Sequence, residues 1–219
     1  MVSQPKALFI IGISGASGCG KTHLSNIIKN DLSNSELDNI EIISCDNYYK
    51  PYPNGQKAPD DYNWDRPDSL DLDLLENHIM MLKNGETINI PTYDFITHQR
   101  NPDVSLLRTI DGKRTKVVIV EGLFVLQKEG LRNLFDLKIF TWLDPDICLA
   151  RRLIRDYKER QISYEQTLKL YQTNVKPAYV NFIEPTKKFA DIIISTSEYN
   201  NGNVSLDIIK MYVKMKTQS

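Results

Sequence analysis

The run Gly15-Ala16-Ser17-Gly18-Cys19-Gly20-Lys21-Thr22 limits what this chain can fold into more than any other stretch. It fits G-x-x-x-x-G-K-[ST] at every fixed position. An apolar stretch, Ala7 to Ile13, leads into it, and a helix-period segment, Lys21 to Leu32, follows. The order reads as strand, tight turn and helix. Glycines let such a turn curl its N–H groups inward, and the helix start adds its positive end, so the turn is shaped to hold phosphate. Lys21 is then placed to bridge the β- and γ-phosphates of ATP, and the Thr22 hydroxyl to join a magnesium shell. Cys19 is open to two readings. A helix N-terminus lowers a thiol's pKa, whereas a small side chain in a tight turn also serves as filler.

The rest of the chain repeats that rhythm. Short apolar runs rich in β-branched residues, at Ile40 to Ser44, Lys116 to Glu121, Lys138 to Trp142 and Asp191 to Ser195, alternate with helix-period segments. Helices are expected at Leu70 to Asn84, Pro145 to Lys158, Tyr164 to Ile183 and Val204 to Lys214, with Asp144 as the N-cap ahead of Pro145. Alternation of this kind puts helices on both faces of a parallel sheet. The expected fold is α/β, a three-layer P-loop fold around a parallel five-stranded sheet, with residues 1–219 in one domain. Residues 47–114 break the rhythm: they are rich in Pro, Asp, Asn and Tyr, with one helix and a hairpin expected around Thr87 to Tyr93. They read as an insertion too polar and aromatic for the core, placed where an α/β sheet carries an acceptor pocket.

Composition removes several classes of function. A formal net charge of -1 gives no bulk attraction to nucleic acid or to an anionic membrane, so neither is an expected partner. No apolar run reaches the roughly 18–20 residues that cross a bilayer. The stretch Ala7 to Ile13 also lacks the charged flank and small-residue cleavage pattern of a signal peptide. The 3 cysteines, Cys19, Cys45 and Cys148, form no Cys-x-x-Cys pair and suit a reducing, cytoplasmic setting.

Two acids and a group of arginines complete the chemistry. The apolar strand Val117-Val118-Ile119-Val120 ends in Glu121-Gly122, and beside a phosphate loop such a carboxylate holds the metal directly or through water. Asp46 follows the second apolar strand. There it can orient an acceptor hydroxyl and take its proton as the oxygen begins to bond phosphorus, although Ser-Cys-Asp-Asn also suits a plain turn. Arg151, Arg152, Arg155 and Arg160 gather on one helix and its exit. They form a solvated basic face, a nucleic-acid patch, or a lid near residues 155–163, whose arginines neutralise a moving phosphoryl group and exclude water.

Further motifs follow in a fixed order: Ser44-Cys45-Asp46-Asn47-Tyr48-Tyr49-Lys50, Asn63-Trp64-Asp65-Arg66-Pro67-Asp68, Pro91-Thr92-Tyr93-Asp94-Phe95 with His98 and Arg100, Arg151 to Asp156, Val175-Lys176-Pro177, and Phe182 to Asp191. In this order and spacing the chain resembles the uridine/cytidine kinase family over nearly its whole length. The resemblance implies transfer of the γ-phosphoryl of ATP, with Mg2+, to the 5′-hydroxyl of a pyrimidine nucleoside. It makes Asp46 the carboxylate that faces that hydroxyl and touches the magnesium shell, and Asp65 the one that grips the ribose diol. Tyr49, Trp64, Tyr93 and His98 fall where the family contacts the base, Arg152 also reaches the ribose, and Arg155 and Arg160 belong to the lid. It also implies a homo-oligomer, a tetramer. The aromatic residues have a plainer alternative, the sealing of a small satellite core.

The match fails at two places. Family members carry Glu-Arg-Gly-Arg in the lid and a later Gln-Tyr, and the last arginine and the glutamine contact the base. This chain has Glu159-Arg160-Gln161-Ile162 and Leu170-Tyr171. Uridine and cytidine as preferred acceptors are therefore open. The alternatives are a P-loop kinase of a purine nucleoside or sugar phosphate, and a nucleotide-binding regulatory protein without turnover. Lys21, Thr22, Asp46 and Glu121 together argue against the last, since binding alone does not need Asp46.

Overall fold

The structure, a computed structural model, describes residues 8–34, 37–53, 56, 58–59, 61–101, 103, 107–197 and 204–218; Ala7, expected to begin the first strand, and parts of the insertion lie outside them. Along the chain come β1 (Phe9–Gly15), α1 (Lys21–Ser33), β2 (Ile40–Ser44), α2 (Leu72–Lys83), β3 (Thr87–Ile90), β4 (Tyr93–Asp94), β5 (Gln99–Arg100) and β6 (Arg108–Asp111). Then follow β7 (Val117–Glu121), α3 (Glu129–Asn133), β8 (Leu137–Trp142), α4 (Pro145–Arg160), α5 (Tyr164–Leu170), α6 (Lys176–Ala178), β9 (Ile192–Ser195) and α7 (Val204–Gln218).

Successive side chains of a strand point to opposite faces, so a strand that is apolar at every position must be covered on both sides. In β7, Val117 and Ile119 pack with Leu24, Ile28 and Leu32 of α1 and with Ile209 and Val213 of α7. Val118 and Val120 pack on the other side with Leu75, Ile79 and Leu82 of α2 and with Leu131 of α3. The result is the expected three-layer α/β arrangement. Its sheet has five strands in the order β2-β7-β1-β8-β9, and every pair in it is parallel.

The insertion differs from expectation in two ways. Tyr48, Leu70, Leu72, Ile88, Ile90 and Ile110 are buried in the same core as Val118 and Val120, so it is not too polar for the core. It contributes α2 to one of the helical layers, where full burial of each Leu or Ile contributes roughly 1.5–3 kcal/mol. The hairpin expected around Thr87 to Tyr93 is two separate ribbons, β3 with β6 and β4 with β5. The partner of β3 lies beyond the second ribbon, and local turn signals do not encode such a long-range pairing. Asp144 occupies the N-cap of α4, yet its side chain makes no capping hydrogen bond; Pro145 follows at the first helical position, where a missing N–H costs no intrahelical bond.

From Tyr164 to Ile183 the chain is helical, as expected, but wide π turns at Tyr171–Val175 and Tyr179–Ile183 flank α6. Pro177 lies between them. A mid-helix proline removes one i→i−4 hydrogen bond and pushes on the preceding turn, and wider turns absorb that conflict. No helix among the described residues is long and apolar enough to cross a membrane.

Candidate active site

Strand register sets the first half of the site. Glu121 lies opposite Ile13 of β1 on one side and Ser44 of β2 on the other. The carboxyl ends of these strands, with the phosphate loop after β1 and Asp46 after β2, meet at one edge of the sheet, beside the point where the chain switches direction across it. Thr22 Oγ1 donates to Glu121 Oε1 at 3.2 Å. The Lys21 ammonium donates to the loop carbonyls of Ala16 at 2.8 Å and Gly15 at 3.2 Å. Gly18 adopts φ +80, and a Cβ there would lie 2.4 Å from the Cys148 carbonyl oxygen, so only glycine lets the loop pass this close to α4. The Cys19 side chain is fully buried against Leu143 and Cys148, away from the cleft.

Asp46 sits in a short 3-10 turn, Cys45–Tyr48, with its N–H directed to Ser44 Oγ at 3.4 Å. Glu121 is 5% exposed. Burial raises its pKa, the Asp46 charge raises it further, and the Lys21 ammonium opposes both. Two neighbouring carboxylates beside a threonine hydroxyl are a donor set suited to a hard divalent cation, which takes oxygen ligands. Among the described residues no group of three or more His, Cys, Asp or Glu side chains forms a closed metal cage.

The insertion builds the second half. Trp64 and His98 stack with ring centroids 4.7 Å apart and planes 15° apart. Tyr49 meets Tyr93 at 5.2 Å, and the Tyr93 hydroxyl lies 3.3 Å from His98 Nδ1. The Trp64–His98 spacing leaves no slot between the two rings, so a planar ligand can use only an outer face. His98 has φ 53, a left-handed conformation uncommon outside glycine, in the turn joining β4 to β5. Arg100 fastens this ribbon to the sheet edge: its guanidinium donates to the carbonyls of Tyr49 at 2.8 Å and Tyr48 at 2.9 Å and pairs with Asp71. Asp65 is raised in pKa by burial, with Arg152 and Arg160 pulling it back.

The arginines close the site from α4. Arg152 donates to Ser17 Oγ at 3.0 Å and lies 3.7 Å from Asp65 Oδ1, so one side chain links the phosphate loop to the acceptor end. The Arg160 guanidinium rests 4.2 Å from the centre of the Phe95 ring, a cation–π contact. Gln161, at φ 58, ends α4, and the Ser163 hydroxyl then caps α5 by accepting from the Gln166 N–H.

One cleft of about 650 Å³ joins these groups. Its walls include Ser17, Gly18, Gly20, Lys21, Thr22, Asp46, Tyr49, Trp64, Asp65, Tyr93, His98, Glu121, Arg152, Arg155, Arg160, Ile162 and Leu170. Of the residues singled out in the sequence, Gly15, Ala16 and Cys19 do not line it, and the first two present their carbonyls to Lys21. Tyr62, Phe95 and Asn174 line the cleft without having been assigned a role. Tyr62 and Phe95 had a signal, the aromatic richness of the insertion. Asn174 had one too, its spacing: four residues past Leu170 in a helical segment, it falls on the same face.

Comparison with known proteins agrees with this geometry. The profile of the phosphoribulokinase / uridine kinase family matches residues 10–201. A uridine kinase of Staphylococcus aureus is 41% identical over 207 residues, which are 93% of this chain and 94% of that protein. At the level of the fold, a D-glycerate 3-kinase from Cryptococcus neoformans superposes with TM-score 0.63 at 15% identity, covering 90% of this chain and 89% of its own. The phosphoribulokinase of Rhodobacter spheroides gives TM-score 0.62 at 18% identity, covering 87% and 70%. With a profile match across most of its length and a relative at 41% identity, the chain belongs to the phosphoribulokinase / uridine kinase family of kinases.

Proposed function

We propose that this kinase transfers the γ-phosphoryl group of ATP to the 5′-hydroxyl of a pyrimidine nucleoside, uridine or cytidine, yielding the nucleoside monophosphate for pyrimidine salvage. The observation that carries this reading is the single cleft with Lys21 and Thr22 at one end, aromatic rings and Asp65 at the other, and Asp46 on the wall between. The 41% identity to a uridine kinase supports the same acceptor. Lys21 and the loop N–H groups hold the phosphates of ATP. Asp46 orients the 5′-hydroxyl and accepts its proton as the new P–O bond forms; a carboxylate does this without first deprotonating the alcohol. Asp65 receives the two ribose hydroxyls, its two oxygens matching a vicinal diol. Thr22, Glu121 and Asp46 would hold Mg2+, which neutralises phosphate charge. Arg152, Arg155 and Arg160 supply the remaining positive charge, and residues 155–163 act as a lid that excludes water. Trp64, Tyr93, His98 and Tyr49 offer ring faces and edges to the base.

The enzyme is proposed to work in the cytoplasm, in keeping with its buried, unpaired cysteines. The test is a transfer assay with radiolabelled ATP against uridine, cytidine, purine nucleosides and sugar phosphates. Incorporation into uridine or cytidine at the highest kcat/KM is expected. A higher value for another acceptor would overturn the acceptor, and no transfer to any would overturn the kinase reading of this cleft.

A further inference from the structure

Asp156 has no task in the chemistry described so far. Its side chain is 2% exposed and does not line the cleft. Three cleft arginines nevertheless converge on it. Arg155 donates to Oδ1 through Nε at 3.0 Å and through a terminal nitrogen at 2.7 Å. Arg152 Nε lies 3.1 Å from Oδ2, an ion pair whose angle falls short of a hydrogen bond. Arg160 Nε lies 3.8 Å from Oδ1.

Each arginine has a second engagement on the cleft side. Arg152 reaches Ser17 and Asp65, Arg160 covers Phe95, and Arg155 forms part of the wall. Arg152, Asp156 and Arg160 stand four residues apart in succession and so share one helix face. Arg155 reaches the same carboxylate from the neighbouring position.

Three guanidinium groups crowded on one helix repel one another, and each long side chain has many rotamers to lose. One carboxylate beneath them cancels part of the repulsion and selects one rotamer for each. Because it carries a single negative charge against three positive ones, most of the positive charge remains for the cleft. Donors already aimed where negative charge develops need no reorganisation at the moment of transfer. The backbone at this point has a separate job: the Asp156 carbonyl accepts the N–H groups of Gln161 and Ile162, which forms the corner after α4. A side-chain substitution leaves that corner its hydrogen bonds.

We infer that Asp156 is a positioning residue that holds Arg152, Arg155 and Arg160 aimed at the transferring phosphoryl group and at the acceptor. The inference rests on the proposed kinase reading of the cleft but not on the identity of the acceptor.

Two readouts on the full chain test it, using Asp156→Asn and Asp156→Glu with folding checked by circular dichroism and thermal melting. In steady-state transfer to the best nucleoside, Asp156→Asn should lower kcat by about tenfold or more, short of the roughly 10²–10³ that loss of a donor outright costs. The KM for ATP should change less than about threefold, and Asp156→Glu, which keeps the charge, should recover part of the loss. In binding, affinity for MgADP with aluminium fluoride, a mimic of the phosphoryl group in flight, should fall about tenfold while affinity for MgADP alone is unchanged. A folded Asp156→Asn protein with parental kcat and parental preference for the mimic overturns the inference, as does a lower melting temperature with both readouts unchanged, which marks a purely structural residue. If the parent prefers the mimic but transfers to no nucleoside, the acceptor reading fails and the binding readout still decides the role of Asp156. A parent that binds neither MgADP nor the mimic overturns both.

Discussion

Thr22, the second residue of α1, donates its hydroxyl hydrogen to Glu121, the last residue of β7, at 3.2 Å. The bond joins the phosphate loop to the strand on the far side of β1 from β8 and holds together two of the three side chains proposed for the metal, the third being Asp46. Burial and the Asp46 charge raise the Glu121 pKa in the folded protein. The fold therefore binds this proton more tightly than the unfolded chain, and the stability associated with it is present at acid pH and lost as pH rises through the folded value.

Glu121→Gln removes the buried charge and keeps an oxygen for Thr22. At neutral pH the ligand-free variant should melt at or above the parent temperature, by about 2–4 °C for each kcal/mol gained in a chain of this size. Near pH 4 the difference should vanish. Kinase activity with Mg2+ should fall by about 10²-fold or more if the proposed metal ligand is lost. Thermal melts across pH, with and without Mg2+ and nucleotide, check the sign, and a variant less stable than the parent at neutral pH would contradict it.

Lys21→Ala and Asp46→Asn should each remove most of kcat while leaving the fold intact. The first takes positive charge from the phosphates and the second takes hydroxyl orientation and a metal contact. Circular dichroism and single-turnover transfer measure the two quantities. Near-parental turnover by Asp46→Asn would exclude it as the acceptor-side carboxylate.

Residues 155–163 should exchange amide hydrogens faster in the free protein than with an ATP analogue and nucleoside bound together, as expected of a segment that closes over substrates. Asp156, by clamping Arg155 and Arg160, predicts that the helical part slows less than the Gln161–Ser163 corner. Unchanged exchange across the segment on adding both ligands counts against a lid.

Ile162 and Leu170 line the cleft, where an aliphatic wall offers shape without hydrogen bonds. A polar pocket rejects a wrong base strongly because its own groups are left unpaired, and an aliphatic one does not. Base selectivity should therefore be looser than in relatives with polar residues at these positions. Ile162→Arg combined with Leu170→Gln should raise kcat/KM for uridine and cytidine relative to purine nucleosides, by about tenfold. An unchanged ratio in the double variant would show that these positions do not read the base.

Much of this molecule follows from local sequence. The phosphate loop, the five sheet strands and the α1 helix are legible because each depends on a short pattern: glycines where the turn needs them, β-branched runs where a strand is covered on both faces, an i, i+4, i+8 stripe at Leu24, Ile28 and Leu32. Glu121 and Asp46 are legible for the same reason, each being an acid at or within two residues of the end of an apolar strand. Tertiary structure alone decided the rest. The pairing of β3 with β6 across an intervening ribbon, the burial of Tyr48 and Ile110 in the main core, and the face-to-face contact of Trp64 with His98 all join residues far apart in sequence. So does the link from Arg152 to Ser17 and Asp65. Asp156 shows the distinction most plainly: the arginines around it mark a charged helix in the sequence, but whether such a helix faces solvent or a cleft depends on which side of it the sheet buries, and no local pattern carries that information.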